Sequence, residues 1–365
     1  MEEKIVIQHI EPHQQNPILY QKCAEMWSSI FEDSDRYVSW YFNSKWKISD
    51  TLLLSHEAGE LCSMIHLNPY PVVVEGREYL LHYIVGVCTR TGQRKKGYMG
   101  LLLQKAFSWM YERKEPFTYL MPASQKIYEP YDFCEIYQAM GQKCRLGRDG
   151  GQSDQYQFKN YEEAVAEEKR QLVSFSEKML KAKFQVYARR SEEYFAEIAE
   201  EMKACLGELL LIYQEGQFTG YLEYGLEDGR AEVFEVAGQM EEKGLLDSLG
   251  NYLCQKQGWG SIECQINESS FLENSSRKCH TIMARIIHFE TCAFLLRSRE
   301  ALKLSLEIHD SQIAGNNGKW MLEANQKECI VSRLAEDALV EKKMEIGEFC
   351  DYLFREKSVY LNELV

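Results

Sequence analysis

A chain of 365 residues exceeds what one hydrophobic core usually organises, so two or three domains are expected. Hydrophobic residues at 45% and charged residues at 27% exclude extended disorder and fibrous repeats. A formal charge of −14, from 42 basic and 56 acidic residues, disfavours nucleic acid and anionic membranes as partners and accommodates a cationic substrate. The opening MEEKIVIQHI has no basic and apolar leader pattern, and no later run approaches about 18 apolar residues, so a cytoplasmic protein is expected. The 12 cysteines form no CxxC pair and meet no histidines at zinc spacing; they read as reduced, small apolar residues, with no metal site.

In chain order, a short strand at Ile5 to Ile7 precedes a helix whose stripe is Ile18, Tyr20, Cys23, Met26, Trp27 and Ile30. Two strands follow, Thr51 to His56 and Leu61 to Leu67, joined by the turn Glu57-Ala58-Gly59-Glu60. Pro69 and Pro71 are expected to interrupt pairing before the apolar strand Tyr79 to Cys88. A basic, glycine-containing loop leads into a helix carrying Leu101, Leu102, Leu103, Ala106, Phe107, Trp109 and Met110, and Phe117 to Met121 reads as the next buried strand.

Gly147 to Gly151 has the composition of a linker. Beyond it come helices over Tyr161 to Leu180 and Glu192 to Cys205, strands Glu208 to Tyr213, Thr219 to Tyr224 and Ala231 to Val236, and a helix Lys243 to Gln257. That order echoes the first segment and reads as a degenerate second copy, whose acidic Ala237 to Glu242 loop does not suit phosphates. A third segment holds a helix Phe289 to Arg297, strands Lys303 to Ile308 and Trp320 to Ala324, the turn Asn316 to Lys319 and a helix Ile346 to Phe354, ending after the apolar Val359 to Leu361.

The basic loop is where chemistry concentrates. Arg94-Lys95-Lys96-Gly97-Tyr98-Met99-Gly100 joins a buried strand to a helix, so backbone N–H groups and the positive helix end converge on any bound anion, and Gly97 removes a side chain that would hold a phosphate off. Neither the GxxxxGK[ST] nor the GxGxxG pattern is present, which excludes the usual nucleotide loops.

The stretch Val87 to Gly100, VCTRTGQRKKGYMG, resembles the acetyl-CoA signature of the GNAT superfamily, R/Q-x-x-G-x-G/A, with Arg94 and Gly97 in place, Met99 at the last small position and Gly100 one residue later. The resemblance implies that Val87 and Thr89 bind the pantetheine arm through main-chain groups and that Arg94, Lys95, Lys96, Gly97, Met99 and Gly100 hold the pyrophosphate. PASQKIYEPYDF resembles the family's second motif, which makes Tyr128 the general acid that protonates the departing thiolate.

The whole chain resembles the enhanced intracellular survival (Eis) branch, which implies an α/β (α+β) architecture: a GNAT domain over 1–147, a degenerate GNAT-like domain over 148–278 and a sterol-carrier-like α+β domain over 279–365. In that branch the terminal carboxylate, here on Val365, serves as base, and the assembly is a homo-oligomer. Glu32, Asp33, Asp35 and Glu363 are candidates for lining the pocket of a cationic amine, whether an aminoglycoside, a polyamine or a lysine-containing peptide. The expected activity is acetyl transfer from acetyl-CoA to that amine within a ternary complex; the rival is a protein that binds acetyl-CoA or lipid without catalysis. Cys88, on the cofactor strand, has no evident base and reads as core, as does His82.

Overall fold

The computed structural model describes residues 4–147, 155–267 and 277–363. In chain order its first elements are β1 (Ile5–Ile10), α1 (Pro17–Ser28), α2 (Asp35–Asn43), α3 (Lys45–Ile48), β2 (Asp50–His56), β3 (Leu61–Val74), β4 (Arg77–Thr89), α4 (Tyr98–Glu112), β5 (Phe117–Leu120), α5 (Gln125–Tyr128) and β6 (Cys134–Gly147). Next come β7 (Gln157–Asn160), α6 (Ala166–Lys183), β8 (Val186–Ala188), α7 (Glu192–Ala204), β9 (Glu208–Gln214), β10 (Gln217–Glu227), β11 (Arg230–Gly238), α8 (Glu242–Gln257), β12 (Ser261–Ile266) and β13 (Arg277–Ile286). The last are α9 (Phe289–Ala293), β14 (Leu302–His309), β15 (Gly318–Ala324), β16 (Cys329–Arg333), β17 (Lys342–Glu345), α10 (Ile346–Phe354) and β18 (Val359–Tyr360).

Two compact units emerge: one of residues 1–137, 184–188 and 281–365, the other of 138–183 and 189–280. In the first, β1, β2, β3 and β4 form an antiparallel meander, β5 joins β4 in parallel, and β13 closes antiparallel on β5. Both faces are covered. Leu52, Leu54, Ile65, Leu67 and Ile84 pack against Leu102, Leu103, Ala106, Phe107 and Met110 of α4. On α1 and α2, Trp27, Tyr41 and Phe42 surround His66 of β3. α1 starts where Asn16 Oδ1 accepts from the N–H groups of Ile18 and Leu19, and α2 where Ser34 accepts from Tyr37.

β3 does not stop at the prolines. It runs on to Val74 with Pro69 opposite His82 and Pro71 opposite Leu80. The reason lies on its other edge, where β2 ends at Leu67 and β8 begins only at Val72. Spaced by two, both prolines turn their missing N–H toward that gap, and no ladder hydrogen bond is lost. The first unit also contains a smaller sheet, ordered β16-β15-β14-β17, against which α9 and α10 pack through Phe289, Trp320 and Phe349.

In the second unit the strand order is β6-β12-β11-β10-β9-β7, with β12 parallel to β11 and the other neighbours antiparallel. α8 covers one face through Leu245, Leu249 and Leu253; α6 and α7 cover the other through Leu172 and Phe195. Both units are therefore mixed sheets flanked by helices.

His66 sets an acid limit on the first unit. Its ring is fully buried, Nδ1 meets Thr51 Oγ1 at 3.0 Å, Nε2 has no partner among the described residues, and burial lowers its pKa to about 3. Because the unfolded chain binds this proton near pH 6.5 and the folded chain does not, stability is complete above that pH and falls as pH drops toward 3. A loss of about 2 kcal/mol by pH 5 is expected from urea midpoints, and a His66→Gln variant should lack that component.

Candidate active site

β4 and β5 meet at one residue pair, Tyr83 with Tyr119, and then part. The cause is in β4. Its register against β3 slips from His66–Val85 to Met64–Cys88, an extra residue placed at Gly86, whose φ is +61°. A Cβ there would lie 2.6 Å from both His66 Cδ2 and Trp27 Cζ3, so only glycine fits. Gly86→Ala is expected to cost about 2–4 kcal/mol, from left-handed strain plus overpacking, read as a shift in denaturation midpoint.

Past the bulge, the Arg90 N–H donates to the Cys62 carbonyl at 3.0 Å, so alternate residues of β4 face β3. Val87 and Thr89 consequently turn their peptide groups to the side that β5 has left. That edge leads into the basic loop. A turn at Thr91–Gln93 is followed by Lys95 at φ +63° and Gly97 at φ +80°, the residue before α4. No side chain caps α4, whose first-turn N–H groups remain available to an anion. Arg94, Lys95, Lys96 and Gly97 are exposed, Met99 and Gly100 half-buried. Arg94 Nε donates to the Thr89 carbonyl and Lys96 Nζ to Gln93 Oε1, while a Cβ on Gly97 would meet nothing within 4 Å. Gly100 is constrained differently, since a Cβ would sit 2.8 Å from the Tyr131 hydroxyl.

Tyr128 ends α5, its ring enclosed with Tyr98, Leu102 and Phe133, the last 5.7 Å away between ring centres. Burial pushes its pKa up to about 12, so the phenol stays protonated at neutral pH. The turn that follows, through Asp132 at φ +63°, is held by Arg285 of β13. The Arg285 guanidinium donates to the carbonyls of Tyr131 at 2.8 Å and Ile286 at 2.6 Å, bonds Asp310 Oδ1 at 2.6 Å and lies 4.5 Å from the centre of the Phe107 ring. Asp310 also accepts from the N–H groups of Gln312 and Ile313 and from Asn316 Nδ2.

The last described residues come near the same gap. β18 pairs with β8, which lines the far half of β3, and Lys357 forms an ion pair with Glu75. Leu361, Asn362 and Glu363 are all buried. The Glu363 carboxylate is near enough to Tyr119 to help burial raise that phenol's pKa well above its ordinary value. The Tyr119 hydroxyl is itself buried without a hydrogen-bond partner among the described residues, and the Tyr83 ring stands 5.0 Å from it.

Of the carboxylates expected to line a pocket, Glu363 is thus buried near Tyr119, whereas Glu32 and Asp33, between α1 and α2, and Asp35, at the start of α2, are exposed. Asp33 accepts from Trp27 Nε1 at 2.7 Å, and Asp35 lies in the first turn of α2. Val365 falls outside the described residues. His82 pairs with Glu115 in the interior, and burial pushes the Cys88 thiol up. No group of three or more His, Cys, Asp or Glu placed to hold a metal occurs among the described residues. Sequence reasoning passed over Gly86, Tyr119 and Arg285; a glycine inside an apolar strand was the available sign of the bulge.

Residues 13–136 match the family model described as an acetyltransferase (GNAT) domain. No curated protein matches the chain. Among solved structures, it is similar to a probable N-acyltransferase of unknown function from Enterococcus faecalis V583, at 16% identity over 95% of this chain and 89% of that one, with a TM-score of 0.71. A GCN5-related N-acetyltransferase from Anabaena variabilis aligns at 14% identity over 96% and 90%, TM-score 0.68. Eis1 from Mycobacterium abscessus aligns at 10% identity over 96% and 89%, TM-score 0.65. At these identities the structures establish fold, and the family match adds acyl transfer as the general chemistry. Residues 13–136 thus match a GNAT acetyltransferase domain, in a chain whose fold is similar to that of Eis1.

Proposed function

We propose that the chain transfers an acetyl group from acetyl-CoA to a primary amine, by direct attack within one ternary complex. The observation that carries this reading is the parting of β4 from β5 after one residue pair, opening onto an uncapped helix start beside three exposed cations. Those residues suit the cofactor: the N–H groups around Arg94 to Gly100 take the pyrophosphate, and the free edge at Val87 and Thr89 takes the pantetheine amides. Bound there, acetyl-CoA supplies the activated thioester. Tyr128 supplies the leaving thiolate with its proton, and the carboxylate of Val365 accepts the proton of the attacking amine. The buried path of the tail as far as Glu363 supports that last role.

The acceptor in this reading is a small cation or a lysine-containing peptide, drawn in by Glu363 and, at the entrance, by Glu32, Asp33 and Asp35. The protein works as a homo-oligomer in the cytoplasm; no helix among the described residues is long and apolar enough to cross a membrane. The domains follow the divisions 1–147, 148–278 and 279–365, the last sterol-carrier-like. The middle one repeats the first in outline, with a bulge in β11 between the pairs Glu223–Glu235 and Tyr224–Val233, and α8 in the place of α4. There the Glu241 carboxylate already accepts from the N–H groups of Lys243 and Gly244, filling the helix start with the chain's own anion. We assign acetyl-CoA to the first domain alone.

A mass-spectrometric screen of polyamines, aminoglycosides and lysine peptides with acetyl-CoA tests the activity. An adduct heavier by one acetyl group on a primary amine is expected. Coenzyme A release without such a product from any of the three classes would refute the assignment.

A further inference from the structure

Cys144 of β6 and Cys264 of β12 stand directly opposite each other in an antiparallel pair, so their side chains share one face of the second unit's sheet. Their thiols are hydrogen-bonded. Opposed residues in such a ladder have Cα atoms about 4.5–5.5 Å apart, inside the span of about 4.4–6.8 Å that a disulfide bridges. The two are not equivalent. Cys264 is buried, among Ile262, Leu249 and Leu253, while Cys144 is half-buried and lines a cavity of about 730 Å³ together with Lys183, Met240, Glu242, Lys243 and Leu246.

We propose that Cys144 and Cys264 form a peroxide-reactive dithiol, in which Cys144 is the attacking sulfur at the cavity wall and Cys264 the resolving one behind it.

The hydrogen bond from Cys264 lowers the Cys144 pKa against the opposing effects of burial and Glu242, whereas Cys264 is driven well above the ordinary thiol value, first by donating that bond and then by burial. Of the two, Cys144 is therefore the more readily ionised and Cys264 the less. In the first step the Cys144 thiolate attacks one oxygen of a hydroperoxide; an S–O bond forms, the O–O bond breaks, and hydroxide or alkoxide leaves, taking a proton from water. In the second, Cys264 sulfur displaces the sulfenic oxygen as water: the S–S bond forms, the S–O bond breaks, and the Cys264 proton departs with the water. Two electrons pass from the thiols to the peroxide. The buried Cys350 is also within thiol contact of Cys134, but Cys350 lies on α10 and the two are not opposed in a strand ladder. Cys23 is held up to about 12 by burial, and Cys88 and Cys292 are raised by the same cause.

The test is differential alkylation with peptide mass spectrometry on the full-length protein, exposed to graded hydrogen peroxide and quenched with iodoacetamide. Expected is a peptide cross-linked through Cys144 and Cys264, lighter by two hydrogens, appearing at doses that leave Cys23, Cys88 and Cys292 alkylatable only after unfolding. In Cys264→Ser, a dimedone adduct should accumulate on Cys144 instead. Recovery of both thiols as reduced at doses that oxidise the buried cysteines would overturn the proposal. Since the wild-type cross-link alone decides it, the outcome does not depend on whether the variant folds or on whether the protein acetylates amines.

Discussion

Tyr128→Phe is expected to lower kcat for the proposed acetyl transfer by about 10²–10⁴-fold, the usual contribution of a positioned general acid, while acetyl-CoA affinity stays close to that of the native protein. The ring is buried in the cluster that holds Tyr98, Leu102 and Phe133, and the hydroxyl makes no hydrogen bond among the described residues, so phenylalanine fits without loss of packing. Stability should therefore be nearly unchanged, which separates chemistry from folding. Because burial holds the phenol at about 12, it remains an acid throughout the accessible range, and the wild-type profile of kcat against pH should show no alkaline fall caused by Tyr128 below about pH 11. Steady-state kinetics with a good amine acceptor, alongside calorimetric binding of acetyl-CoA, reads both quantities. A variant with native kcat would remove Tyr128 from the reaction.

The second large effect is on stability. Arg285→Met removes the cation from a fully buried guanidinium that bonds Asp310, two carbonyls and the face of Phe107, and leaves the Asp310 carboxylate in the interior without its counter-charge. Breaking one side of such a pair costs about 3–5 kcal/mol, since the remaining charge keeps its desolvation penalty. Asp310 retains the N–H groups of Gln312 and Ile313 and the Asn316 amide, which places the expected loss near the lower end of that range. Removing both charges, as Arg285→Met with Asp310→Asn, should recover part of the loss. Urea denaturation at constant m-value measures this, and a change in the single variant below about 1 kcal/mol would show that the pair is not the strut described.

What the sequence made legible follows local periodicity. α8 and α10 were read nearly to the residue, and the three strands Glu208 to Tyr213, Thr219 to Tyr224 and Ala231 to Val236 fall inside β9, β10 and β11, because each has a clean pattern bounded by glycine or acidic turns. α2 was passed over: its nine residues bury four aromatic or aliphatic side chains in a segment otherwise dominated by charge. The 14-residue β6, and β12 and β13, were missed for another reason, since their partners are remote in sequence and their alternation is blurred by residues such as Lys143, Arg145 and Arg285. Pro69 and Pro71 misled because an unpaired edge is a property of the assembled sheet.

The basic loop stands out in the sequence because its residues are contiguous, and the structure adds the bulge at Gly86 that opens the strands beside it. The proximity of Tyr119 and Glu363 could not be read locally. One residue lies on β5 and the other at the chain end, brought together only when β18 docks on β8.

A crystal structure with coenzyme A is the decisive measurement. The diphosphate is expected on the main-chain N–H groups between Lys95 and Gly100, with the pantetheine amides along Val87 and Thr89 and the sulfur directed toward Tyr128. Coenzyme A bound elsewhere, or its pantetheine lying outside the gap between β4 and β5, would contradict it.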